Sequence, residues 1–104
     1  MKHRFKIRIA ALLLAFVASA NIAVAQDSCY ADYKAKRSAS GSLQLHYGVI
    51  QLNGGACRNP QRAAQAVSRR IASDGWTLLR VVSTFDQRGL QQRRGNAGQF
   101  FLRY

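Results

Sequence analysis

The order of apolar and polar positions changes period several times along the chain, and each change marks an element. Lys2, Arg4, Lys6 and Arg8 precede an unbroken run of apolar and small residues from Ile9 to Ala20. A more polar stretch then ends at Ala23-Val24-Ala25. A positive head, a short apolar middle and a small-x-small end are the three parts of a cleavable secretory signal peptide over residues 1–25, with cleavage expected before Gln26. A membrane anchor would need roughly 20 predominantly apolar residues. Ser19 and Asn21 dilute the run before that length. A lipid anchor on Cys29 lacks its pattern as well, because Gln26, Asp27 and Ser28 stand where an aliphatic residue and then small ones are needed.

Beyond the leader, Tyr33 to Ser38 is a short strand candidate, and Ser38-Ala39-Ser40-Gly41-Ser42 has the small, polar, glycine-containing character of a hairpin connection. Leu43 to Leu52 alternates. Leu43, Leu45, Tyr47 and Val49 share one face, expected to be the buried one, and Gln44, His46 and Gly48 share the other. Asn53-Gly54-Gly55 ends that strand. The period then becomes helical: Asn59 can cap, Pro60 suits the first helical position, and Ala63, Ala64, Val67 and Ile71 form an apolar stripe. With Gly75 as the left-handed terminator, a helix over Pro60 to Ser73 is expected.

Trp76 to Phe85 is rich in β-branched and aromatic residues and reads as the central strand. Its alternation fails near Arg80, as at a bulge or at an arginine with a packed stem. Asp86 to Gly98 carries turn residues with Leu90 as its one large apolar side chain, and reads as a long mobile connection. Gln99 to Tyr104 closes the chain as a strand, with Phe100, Leu102 and Tyr104 on one side. The order is ββαββ. Its economical packing is a small two-layer α+β domain over residues 26–104, an antiparallel sheet of about four strands with one helix on one face.

Removing the leader leaves twelve Lys and Arg against four Asp, a formal charge of +8. Ten of those cations are Arg, and the chain has no Glu. A domain this small sits near the lower limit for a self-sufficient core. Cys29 and Cys57 offer extra fastening. In an oxidising compartment, periplasmic or extracellular, an even pair reads as one disulfide, with free thiols as the alternative. Two distant cysteines and one histidine outside the leader, His46, lack the clustered spacing of a zinc site, and no other metal or cofactor is indicated.

The Tyr-x-x-Lys strand at Tyr33, the amphipathic helix, the run Ala72-Ser73-Asp74-Gly75-Trp76-Thr77-Leu78-Leu79, a valine-rich strand and a final aromatic strand together resemble a family of short bacterial domains of unknown function. The recurring signature of that family is a helix ending in Gly-Trp-x-Leu. The resemblance spans about residues 33–104 and implies the same order of strands and helix. It carries over no activity and no catalytic residue. Export, the cysteines and the basic charge depart from it. Trp76 itself reads as a core anchor, a large aromatic dropping into the sheet–helix interface after a helix-ending glycine.

Most catalytic classes fail on inventory. No catalytic residue is assigned. Without Glu, and with Asp27, Asp32, Asp74 and Asp86 scattered at ends and turns, a paired-carboxylate site has no evident geometry. His46, on the expected outward face, would need a serine or Asp32 beside it to act as a general base. Gly54-Gly55 lacks the Lys and Ser/Thr of a phosphate loop.

Charge is what points to a partner. A strongly basic, exported domain attracts polyanions, and arginine grips phosphate or carboxylate with two parallel hydrogen bonds. The first expectation is therefore a non-enzymatic module for an anionic envelope lipid, polymer or acidic protein, contacting it through Arg58, Arg62, Arg69, Arg70, Arg88, Arg93 and Arg94. The second is an interaction subunit that pairs through an exposed edge strand, Gln99 to Tyr104. A small secreted nuclease or hydrolase built on His46 and arginines is the third. No nucleic-acid reading motif is present.

Overall fold

Two long strands and a tight turn start the fold. In the computed structural model, which describes residues 28–104, β1 (Ser28–Ala39) and β2 (Ser42–Asn53) form an antiparallel hairpin pairing Ser28 with Asn53 and Ala39 with Ser42. The expected leader, 1–25, lies outside the described residues. Ser40 and Gly41 make the turn with φ of 53° and 78°, the left-handed pair whose twist matches that of the flanking strands.

A single helical turn, α1 (Gly54–Cys57), follows β2 and brings Cys57 to Cys29 at the start of β1, where the two form a disulfide. Next comes α2 (Pro60–Ala72). Asn59 Oδ1 accepts hydrogen bonds from the backbone N–H groups of Gln61 and Arg62, and Pro60 sits where no N–H is needed. Its far end closes with Trp76 N–H donating to the Ile71 carbonyl and Gly75 N–H donating to that of Ala72, a geometry that requires Gly75 at φ 83°. β3 (Thr77–Phe85) returns antiparallel to β1, so the sheet order is β2-β1-β3. The chain ends with a 3-10 turn at Gln87–Gly89, a short helix α3 (Gln91–Ala97), and a second 3-10 turn at Gly98–Phe100.

The architecture is α+β around an antiparallel sheet, but the sheet has three strands among the described residues and not four. The expected last strand is replaced by the second 3-10 turn and one parallel bridge from Phe101 to Val49. Gly98 at φ 54° and Leu102 at φ 56° turn the backbone too often for an extended run. Asp86 to Gly98 is a 3-10 turn and a helix, not a structureless connection. The centre of the sheet is β1, and β3 is an edge.

Centrality follows from what covers each face of β1. Ala63, Val67 and Ile71 of α2 pack on Ala31, Tyr33 and Ala35 of β1, on Ile50 and Leu52 of β2, and on Trp76. Ile50, Val67 and Ile71, fully buried there, each contribute about 1.5–3 kcal/mol. On the opposite face, α3 covers the end carrying Tyr30, Asp32 and Val49, all buried, and buries its own Ala97. The face assignment of β2 is therefore reversed. His46, Gly48, Ile50 and Leu52 point to the α2 side, and Leu43 and Leu45 stand 63% and 66% exposed on the other. Val49, of the same parity, is buried only because α3 and Phe101 reach its end of the strand.

Candidate functional site

Residue 46 of β2 pairs with Ala35 of β1, and this register points the imidazole into a box of aromatic rings. Phe100 stacks on it at 3.7 Å between centroids, Trp76 meets it edge to face at 4.2 Å, and Tyr33 at 5.3 Å. His46 Nε2 lies 2.9 Å from the Tyr33 hydroxyl, which has no other acceptor and so donates to it. The Arg37 guanidinium lies 4.1 Å from the Trp76 ring centre and donates to the Asp74 carbonyl, while the Tyr104 hydroxyl donates to the Asp74 carboxylate at 2.6 Å. Trp76 is buried among the residues of the α2–sheet cluster.

His46 is thus an interior histidine, not an outward one. Burial pushes its pKa down to about 4, and the positive charges of Arg37 and Arg103 add to the effect. Burial also pushes the Tyr33 hydroxyl up. The ring is neutral at ordinary pH and has no carboxylate beside it. Asp32 follows the other parity of β1 and faces the far side of the sheet. That separation removes the only acid that the sequence placed near the imidazole.

Asp32 is the centre of a second buried cluster. Its carboxylate accepts hydrogen bonds from the Ser83 hydroxyl at 2.6 Å, the Tyr47 hydroxyl at 2.8 Å and Arg93 Nε at 3.1 Å. Burial alone would raise its pKa. The bonds from Ser83, Tyr47 and Arg93, with the Arg93 charge, outweigh burial and hold the carboxyl below the usual range. Arg93 also donates to the Gly89 carbonyl and stacks 3.8 Å from the centre of Phe85. The cluster ties α3 to the sheet. All three guanidinium nitrogens of Arg93 are engaged within the fold, by Asp32, Gly89 and Ser83.

The other arginines divide in the same physical way. Arg88 is paired with Asp86 at 2.7 Å, and Arg94 stacks on Phe101 at 4.5 Å. Arg58 is exposed at the end of α1. Arg62, Arg69 and Arg70 come together. With Gln65 of the same helix and Asn53 and Gly55 below, they line a groove of about 440 Å³ between α1, α2 and the end of β2. Arg70 is fixed as its wall, donating to the Gln51 carbonyl and to a backbone oxygen of Tyr104 at 2.7 Å each. Arg62 and Arg69 are exposed, and no Asp side chain lines the groove.

Comparison with protein-family models, with curated proteins and with solved structures finds no match to this chain. The reading of the site therefore rests on its own geometry. Among the described residues, no helix is long and apolar enough to cross a membrane and no three His, Cys or Asp side chains cluster as metal ligands. The sequence reading missed Lys34 and Lys36, which stand exposed beside Leu45 and Tyr47 on the open part of the sheet. Their alternation with Tyr33 and Ala35 was the available signal.

Proposed function

We propose that this protein is a non-enzymatic module of the cell envelope or extracellular space that binds an anionic polymer or an acidic protein through the groove of Arg62, Arg69 and Arg70. The observation that supports this reading is that two exposed arginines, Arg62 and Arg69, line one concavity with Arg70 in its wall and no Asp side chain in its lining. Arg62 and Arg69 are two turns apart on α2 and both line the groove, while Arg70 is held in place. Phosphate and carboxylate groups fit guanidinium forks with two parallel hydrogen bonds each. The disulfide agrees with an oxidising compartment.

Titration of the protein with polyphosphate and with polyglutamate tests the reading. Binding is expected at low ionic strength and weakens as salt is added. Arg62→Ala with Arg69→Ala lowers affinity about tenfold or more, as loss of two charge-assisted contacts should. Arg88→Ala, whose guanidinium is already held by Asp86, is the control. Absence of binding, or an equal loss in the control, overturns the proposal.

A second reading has its own observation. The outer edge of β3 has no strand partner among the described residues, and Pro60, Ala63, Ala64 and Val82 border a groove beside it. Pairing of an extended partner there belongs to β3 and not to the C-terminal segment. Concentration-dependent mass that Val82→Lys abolishes would support it, since a lysine blunts edge pairing. A strictly monomeric protein counts against self-pairing.

A further inference from the structure

The sheet has a surface that neither α2 nor α3 covers. Cross-strand pairing sets Lys36 of β1 beside Leu45 of β2, Lys34 beside Tyr47, and Ser38 beside Leu43. The register of β3 slips between the partners of Lys34 and Ala35, and the extra residue is Leu79. It joins Lys34, Leu45 and Tyr47 around a shallow depression of about 300 Å³. Leu43, Leu45 and Leu79 are 63%, 66% and 50% exposed, and both lysines are exposed.

We propose that this open sheet face docks on an anionic phospholipid bilayer, with Leu43, Leu45 and Leu79 entering the headgroup–acyl boundary and Lys34 and Lys36 meeting lipid phosphates. Three half-exposed leucines grouped on one face of a small domain mark an interaction surface. Lysine stems lie along apolar surface while their ammonium heads stay in a polar layer, which is the arrangement a bilayer interface accommodates. Asp32 is the one carboxylate on this sheet face among the described residues, and it is buried and neutralised by Arg93. The face therefore presents positive charge and apolar surface with no exposed negative group. A second copy stacked on it would bring lysine rows together, so charge complementarity favours anionic lipid over self-association. Position agrees: Leu43 and Leu45 follow the turn at Ser40 and Gly41, at the free tip of the hairpin.

This surface is separate from the arginine groove and does not depend on it. The test is co-sedimentation of the oxidised protein, in the form the cell leaves it, with vesicles of phosphatidylcholine alone and with one third phosphatidylglycerol. Binding to the anionic vesicles is expected. Leu43→Gln with Leu45→Gln lowers it about tenfold or more, since two exposed leucines no longer leave water. Lys34→Gln with Lys36→Gln lowers it about fivefold per lysine and flattens its salt dependence. These positions are exposed, and an unchanged unfolding midpoint confirms that each variant folds. Leu45→Trp supplies a direct signal: its emission moves to the blue with anionic vesicles. Arg62→Ala with Arg69→Ala leaves the lipid effect of the leucines in place, which separates failure of this proposal from failure of the groove. Equal binding to both vesicle types, or an unchanged partition in the leucine variant, overturns it. So does a lipid-free self-association that the leucine variant abolishes, which would assign the face to a second copy.

Discussion

Tyr33 lies directly opposite Gly48 in the hairpin, and its ring fills the space a side chain there would need. A β-carbon at residue 48 would stand 2.6 Å from Tyr33 Cζ and 2.5 Å from its hydroxyl oxygen. The aromatic can reach His46 only because its neighbour is a glycine. The close approach, and not backbone freedom, is what residue 48 supplies.

Gly48→Ala therefore displaces a ring that is fully buried, and should cost about 1–3 kcal/mol as overpacking does. Gly55→Ala is the contrast, since a β-carbon there meets nothing within 4 Å. It should be neutral or slightly stabilising. Denaturant unfolding of the two variants checks this, and similar midpoints would show that Tyr33 does not need the gap.

The aromatic box gives stability a pH dependence with a definite sign. His46 titrates near 6.5 when unfolded and near 4 when folded. Between those values the unfolded chain holds the extra proton, so stability is complete above about pH 6.5 and falls as pH drops towards 4, by an amount on the order of 2–3 kcal/mol. The loss from Asp32, whose folded pKa is lowered from 3.8, sets in only as pH falls into the unfolded carboxylate range, below about pH 5. Thermal melts between pH 7 and pH 4.5 should show the decline. His46→Phe should flatten it, and a slope that survives this substitution would assign the effect to another group.

Arg93 makes a comparable prediction for the other face. Arg93→Leu keeps an apolar stem beside Phe85 but leaves Asp32 with only Ser83 and Tyr47. Losing one partner of this largely buried pair should cost about 3 kcal/mol, the low end for a buried pair because Arg93 keeps some solvent contact, concentrated where α3 is tied down. Amide hydrogen exchange is expected to quicken over residues 86–101 and to stay unchanged in α2. Uniform acceleration would mean that α3 and the sheet unfold as one unit.

The elements that were legible in the sequence carry their own local explanation. Asn59, Pro60, the Ala63-Val67-Ile71 stripe and Gly75 all specify the same helix, so its bounds needed no knowledge of the rest. The buried face of β2 was different, because both parities hold apolar residues: Leu43, Leu45, Tyr47 and Val49 on one, Ile50 and Leu52 on the other. What decided burial was the arrival of α2, Phe100 and Tyr104 from distant parts of the chain. Arg93 likewise looked like a ligand contact until its partner, Asp32, 61 residues earlier, was brought beside it. The C-terminal alternation of Phe100, Leu102 and Tyr104 is real, but positive φ at Gly98 and Leu102 prevents it from becoming a strand. The convergence of Arg62 and Arg69 was implicit in their two-turn spacing on one helix. The role of Arg70 was not, because it depends on backbone oxygens of two other segments.

The disulfide links the stability of the fold to the arginine groove and can be tested on both. Cys29 and Cys57 are 28 positions apart, and closing a loop of that length stabilises by about 3–4 kcal/mol in the chain-entropy model. The bond also fastens α1 to the first residues of β1, the end of the sheet nearest the arginine groove. Reduction should therefore lower the unfolding free energy by that amount and move the midpoint down with it. It should weaken anion binding as well if Asn53 and Gly55 must be held below Arg62 and Arg69. Cys29→Ser with Cys57→Ser should reproduce both effects without a reductant. A double variant of unaltered stability would show that the core of Tyr33, Ile50, Val67 and Ile71 suffices alone. A destabilised variant that binds polyphosphate unchanged would separate the disulfide from the groove.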